Sequence, residues 1–369
     1  MDIRALIAVD GTGPLPLGQV DVLGASLLER MVASLAASGI SEIVVVSAHA
    51  SADAPRFASP EASYVKSSKD ELWQDALQAL NAGTVNTTIV IRLSHYCEAD
   101  WPALIRSHQT SGAMLTRAWA PSAPLDIFVV ERQARKDAEF LVESGLRHTR
   151  LATARHYLSE DEYVHPLHKA GDLREIALDA LNLRCKLRPV GRELRPGIWM
   201  AEDSRVDAGV RLVAPIFIGK RARVRTGAVI TRGSALEHHS SVDCGTVIEN
   251  TSLLPFAAVG AGLDFTRTVV GSRLVVDLKR NVAVDIHDRK LVNESAHNAG
   301  VRVLAKTAAL AAYVPLQFWR GIRRSKGLPQ LEATKPVCAN EVAKIVINEK
   351  TAGAAAPLPK LALERYGNQ

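Results

Sequence analysis

The sequence predicts two folded parts in series: an α/β domain on a mostly parallel sheet, then an all-β solenoid. Two observations carry this. From Met200 to Leu254 an apolar residue returns at every sixth position, and between Ala5 and Ala118 compact apolar runs alternate with stretches of helical spacing. A six-residue period fits neither a helix of about 3.6 residues per turn nor a two-residue strand repeat, but it fits short strands that turn a corner after each hexapeptide. Strands alternating with helices imply a sheet covered on both faces.

The first run, Ala5 to Val9, reads as a buried strand leading into a glycine-rich loop, Asp10-Gly11-Thr12-Gly13. The backbone of such a loop can approach phosphates. Leu27, Leu28, Met31, Val32 and Leu35 follow helical spacing, with Ser26 placed to cap the helix and Gly39 to stop it. Glu42 to Ser47 gives the next strand. The pattern recurs as helix Asp70 to Leu80, strand Thr88 to Leu93, helix Ala103 to Thr110 and strand Met114 to Ala118. Leu181 to Pro196, rich in arginine and leucine and holding Pro189 and Pro196, reads as a connecting arm. The expected organisation is an α/β domain over 1–180, a linker over 181–197, a solenoid over 198–295 and a helical, loosely ordered extension over 296–369.

In the solenoid the periodic apolar positions are Met200, Val206, Leu212, Ile218, Val224, Ile230, Leu236, Val242, Ile248 and Leu254. Four places after each, the residue is mostly small, as at Ala222, Ala228, Ser234 and Ser240, because a large side chain there would collide with the neighbouring coil. Three hexapeptides make one triangular coil, and stacked coils bury a continuous apolar column. After Leu254 the register slips, and the repeat is expected to end near Val284. Lys220, Arg221, Arg223, Arg225 and Arg232 fall on outward positions. They read either as a solvated face or as an anion site for a nucleotide sugar or acidic polymer, which needs several converging cations.

The whole chain bounds these readings. Its 369 residues exceed one ordinary core, and 47% apolar with 23% charged residues is a globular composition. A net charge of +6, dispersed along the chain, does not call for a nucleic-acid partner. Cys97, Cys185, Cys244 and Cys338 form no metal-binding spacing and read as reduced thiols of a cytoplasmic protein. Ala5 to Val9 is too short for a signal peptide, and nothing approaches the ~20 apolar residues of a membrane span. Residues 301–326, with Phe318-Trp319 followed by Arg320, Arg323, Arg324 and Lys326, suit either peripheral contact with the inner face of a membrane or docking on protein. A homo-oligomer is expected.

Several stretches carry a resemblance: Ala5-Leu6-Ile7-Ala8-Val9, Gly24 through Glu29 with its helix to Gly39-Ile40, Ala103-Leu104-Ile105 with Ser111-Gly112-Ala113, and Ile127-Phe128-Val129-Val130. With the hexapeptide repeat they make residues 4–295 resemble the sugar-1-phosphate nucleotidyltransferases, NDP-sugar pyrophosphorylases such as mannose-1-phosphate guanylyltransferase. The resemblance implies a Rossmann-like nucleotidyltransferase domain, a left-handed parallel β-helix, and a place in nucleotide-sugar metabolism for surface polysaccharide. Its ligand would be a nucleotide sugar or sugar phosphate, with Asp10, Gly11, Thr12 and Gly13 as nucleotide-binding candidates and Lys220, Arg221, Arg223 and Arg225 as anion-binding candidates.

The chain departs from that family at its chemistry. The G-x-G-T-R loop becomes Gly11-Thr12-Gly13-Pro14-Leu15, without arginine; Leu17-Gly18 and Ala25-Ser26 stand where lysines are expected; the base-binding turn reads Leu72-Trp73-Gln74-Asp75; and Leu93-Ser94 replaces the Gly-Asp pair that holds Mg²⁺. Phosphoryl transfer works by cation positioning, so these losses together predict a catalytically degenerate protein acting by binding, regulation or scaffolding, with no metal or cofactor assigned. The alternatives are an active nucleotidyltransferase with a rearranged Mg²⁺ site, for which Asp75, Glu98 and Asp100 are candidate ligands, and a hexapeptide-repeat acyltransferase using His238-His239 as base.

Overall fold

The computed structural model describes residues 3–10, 17–48, 57–121, 123–146, 152–288 and 290–295. Gly11, Thr12 and Gly13, the extension 296–369 and its candidate membrane segment 301–326 lie outside the described residues. Among the described residues no helix is long and apolar enough to cross a membrane.

The N-terminal part follows the predicted alternation: β1 Ile3–Val9, α1 Leu27–Ala37, β2 Glu42–Ser47, β3 Ala62–Lys66, α2 Leu72–Ala82, β4 Thr87–Arg92, α3 Trp101–Ser111, β5 Leu115–Trp119, β6 Pro124–Glu131, α4 Arg135–Glu143, β7 Ala154–Tyr157 and α5 Ala170–Leu181. The seven strands lie in the order β7-β5-β6-β4-β1-β2-β3. Only β6 runs against its neighbours. β1 lies inside the sheet between β4 and β2 and is fully buried, which is why its run is apolar without alternation. Ser26 caps α1 through a reciprocal capping box with Glu29, fixing where the helix begins. The helix then lays Leu27, Leu28, Met31 and Leu35 on the sheet at no more than 1% exposure, each such burial contributing about 1.5–3 kcal/mol.

The C-terminal part consists of short strands in three parallel ladders. One contains Ile198–Met200, Ile216–Ile218, Ala235–Leu236, Ser252–Leu253 and Thr268–Val270; the second Arg205–Val206, Arg223–Val224, Ser241–Val242 and Ala257–Val259; the third Arg211–Leu212, Val229–Thr231, Val247–Glu249 and Asp264–Thr266. Repeated short strands in parallel sheets are compatible with a β-helix-like solenoid. Successive coils place residues 18 apart side by side, as Lys220 on Glu202. Ile218, Val224, Ile230, Leu236, Val242 and Ile248 fill one core at 0–1% exposure.

The structure corrects the register in two places. Leu254 does not belong to the inward column. The coil over Asn250–Thr251 is one residue short, so Ala235 pairs with Ser252 and Leu236 with Leu253, and a contact such as Thr251 to Ser234 spans 17 residues. Leu253 therefore points inward, while Leu254 joins the core shared with the α/β part. The parallel coils also stop before Val284: Leu274–Asp277 and Val282–Asp285 pair antiparallel as a hairpin. The stretch read as a connecting arm contributes a strand at its end, Arg192–Arg195, antiparallel to Ile198–Met200.

The outer face of the first ladder is buried against the α/β part. Phe217, Ala235 and Val269 share one core with Leu27, Leu104 and Ala177. Gly24 sits at φ +93, and a Cβ there would lie 2.8 Å from Val190 and 3.1 Å from Phe217, so the turn before α1 admits the solenoid only because residue 24 is glycine.

Candidate functional site

In an open parallel sheet the ligand crevice lies outside the carboxyl ends of the strands, where the winding direction switches. Here that point lies between β1 and β4, with β2 continuing on one side and β6 on the other. The parallel register sets Ala8 beside Arg92, so Asp10 and Arg92 leave the sheet together. Arg92 donates from Nε to Asp10 at 3.0 Å and from Nη2 at 2.5 Å. Its Nη1 lies 3.9 Å from Asp126, and its guanidinium 5.9 Å from the Trp73 ring.

Asp126, on β6, is the hub of a second cluster. It accepts from Ser94 Oγ at 2.9 Å and from Arg117 Nη2 at 3.3 Å. Arg117 is 3% exposed; its Nε donates to the Leu125 carbonyl, and its Nη1 has no hydrogen-bond partner among the described residues. Burial pulls the Arg117 guanidinium below its ordinary pKa although Asp126 opposes this. Ser94 Oγ also lies 3.0 Å from His95 Nδ1, and His95 meets the His168 ring edge-on at 5.6 Å. Burial lowers the His95 pKa, with Asp126 acting the other way. Each carboxylate is thus already matched by a guanidinium. The arrangement can orient an anionic or hydroxyl-rich ligand, but it offers no bare carboxylate pair to a hard cation, which wants anionic oxygen.

Of the nucleotide-binding candidates, Asp10 is described and is held by Arg92. Asp100 caps α3 through Ala103 N at 2.9 Å, and Glu98 accepts from Lys186 N at 2.7 Å, so both serve the scaffold. Asp75 lies in the first turn of α2. No group of three or more His, Cys, Asp or Glu side chains suited to a metal occurs among the described residues. Arg92, Arg117 and Asp126 were not singled out by the sequence reading. The available signal was a charged residue ending or interrupting an apolar strand, as in Thr87-Thr88-Ile89-Val90-Ile91-Arg92 and Leu125-Asp126-Ile127.

His238 and His239 stand at the seam between the two parts. His238 Nδ1 lies 2.7 Å from Asp21, and both imidazoles pack on Phe256. Burial lowers the His238 pKa, but the hydrogen bond and charge of Asp21 outweigh it and the net shift is upward. Beside it Glu237, 2% exposed, accepts from Leu23 N at 2.7 Å and Gly24 N at 2.9 Å. Burial first, then Asp21, push its pKa up to about 7.

The anion-binding candidates are only partly free. Lys220 pairs with Glu202 at 2.9 Å, Arg221 with Asp203 at 3.4 Å and Arg225 with Asp243 at 3.7 Å, while Arg223 has no ion pair among the described residues. The chain matches no known family model, and no curated protein matches it.

Proposed function

We propose that this chain is a catalytically degenerate, nucleotidyltransferase-like protein of nucleotide-sugar metabolism. Its α/β part would be a Rossmann-like binding domain for a nucleotide sugar or sugar phosphate, and its solenoid a left-handed β-helix acting as scaffold in a homo-oligomer. The observation that carries the reading is Arg92. Its guanidinium lies against Asp10 and near Asp126 at the switch point, where the resembling enzymes need carboxylate oxygens for Mg²⁺. Ser94, in the position of the metal aspartate, donates to Asp126 instead. Arg117 supports retained binding by keeping a second guanidinium beside Asp126 at the same crevice.

The test pairs two measurements on the full chain. Pyrophosphate release from nucleoside triphosphate, sugar 1-phosphate and Mg²⁺ should stay far below about 1 per second, while equilibrium titration with a panel of nucleotide sugars should give saturable binding. Turnover at or above that rate overturns the degenerate reading, and absence of binding overturns the ligand assignment.

A further inference from the structure

Three exposed columns along the solenoid's second face, one on the ladder strands and one on either side of them, follow different charge rules. Asp203 lies beneath Arg221, 18 residues on, and the two pair. Asp207 lies one coil before Arg225, which pairs onward with Asp243. Between these mixed-sign columns runs a third, in which Arg205 registers directly against Arg223. Neighbouring parallel strands are only about 4.8 Å apart, and like charges directly opposite destabilise a sheet. Both backbones are hydrogen-bonded into the ladder, but neither guanidinium makes a side-chain hydrogen bond or ion pair among the described residues, and the next position up is the uncharged Ser241. Two arginines therefore occupy directly neighbouring ladder positions without an ion pair among the described residues, on a face that elsewhere alternates charge.

The surroundings make this column a site. Arg221 and Arg223 form the common wall of two adjoining grooves, one of about 320 Å³ reaching Arg205 and one of about 540 Å³ reaching Arg225 and Lys290. Asp203, Asp243 and Glu294 also line these grooves, and Asp203 pairs with Arg221 and Asp243 with Arg225. Five cations thus face three carboxylates. Guanidinium forks one strand spacing apart match the oxygens of a phosphoryl group, which each can grip with two parallel N–H donors.

We infer that the Arg205–Arg223 column, flanked by Arg221, Arg225 and Lys290, binds a phosphate or diphosphate group of a multiply charged ligand. The site is separate from the switch-point crevice and does not depend on the reading given above for it. The phosphate can belong to a soluble ligand or to a lipid headgroup, and the experiment distinguishes them.

Inorganic pyrophosphate is titrated calorimetrically into the full chain at about 0.15 M salt, where exposed charges are screened beyond about 8 Å. In parallel the chain is co-sedimented with phosphatidylglycerol vesicles. Arg205→Gln and Arg223→Gln test the column; Arg211→Gln, an exposed arginine on the third ladder, is the control for total charge. Saturable pyrophosphate binding weakened about tenfold or more by either column variant, and less than about twofold by Arg211→Gln, establishes a soluble ligand. Vesicle binding with the same dependence, without pyrophosphate binding, establishes a headgroup. Neither column variant should lower the melting temperature in chloride buffer free of phosphate and other multivalent anions, because each removes a like-charge neighbour; a clear fall would mean that the arginines are structural, and overturns the proposal. So does equal loss in all three variants, or the absence of column-dependent binding in both arms.

Discussion

Asp10 and Arg92 stand 82 residues apart and meet only because β1 and β4 are neighbours in the sheet. Lys220 and Glu202 stand 18 apart and meet because one coil returns above the last. In the α/β part, topology gathers charges into one half-buried network, so the loss of one member strands others. On the solenoid face, the repeat deals charges out in exposed columns, so each pair stands nearly alone. Energetic consequence follows from burial and connectivity rather than from charge.

The largest expected effect breaks the solenoid from inside. Ile230→Asp places a carboxylate at a position with 0% exposure in an apolar column, at a cost of roughly 4 kcal/mol or outright loss of the fold. Thermal melting reads this, and a loss under about 1 kcal/mol would show that residue 230 does not face inward. Next comes Asp126→Ala, which leaves the buried Arg117 without its carboxylate and releases Ser94; about 3 kcal/mol should be lost in urea titration.

The seam adds a pH dependence. Glu237 has an ordinary pKa of 4.5 and a folded value of about 7, so its contribution is complete below 4.5 and is lost as pH rises through 7. His238, raised from 6.5 by Asp21, contributes fully below 6.5 and loses that as pH passes its folded value. Both signs agree: stability should fall by up to about 3 kcal/mol between pH 5 and 8. Denaturant midpoints measured across that range check it, and in Glu237→Gln the slope should flatten. A midpoint that rises with pH would contradict both assignments.

The smallest effect lies on the open face. Arg225 is 66% exposed and its pair with Asp243 is long, so Arg225→Gln should change stability by less than about 0.5 kcal/mol. Were Arg225→Gln and Asp126→Ala to cost the same, the contrast between network and column would fail.

Much of the architecture was legible because it is written locally. The β1 run, the Ser26 cap and the helical spacing of Leu27 to Leu35 each fix an element within one or two turns of chain. The switch-point site was legible only at Asp10 and Ser94, which lie in or beside segments readable as loop or strand end. Arg92 and Asp126 acquire meaning from strand order, and no spacing in the sequence encodes that β6 lies against β4. The column of Arg205 and Arg223 is hidden differently: the basic residues of 220–225 are adjacent in sequence, whereas the neighbour of Arg223 in the ladder, Arg205, lies one whole coil away.

The sequence by itself determined the period of the solenoid, the apolar identity of its core and the alternation of strands and helices, because side-chain direction in a strand or helix follows from nearby backbone geometry. Only the tertiary structure decided which charges pair, that Glu237 and His238 join the two parts, and which leucine turns inward at the shortened coil. Residues 253 and 254 are both leucine, so either satisfies an apolar pattern. The choice rests with the ladder, where hydrogen bonding sets Leu253 over Leu236 and leaves Leu254 to the other core.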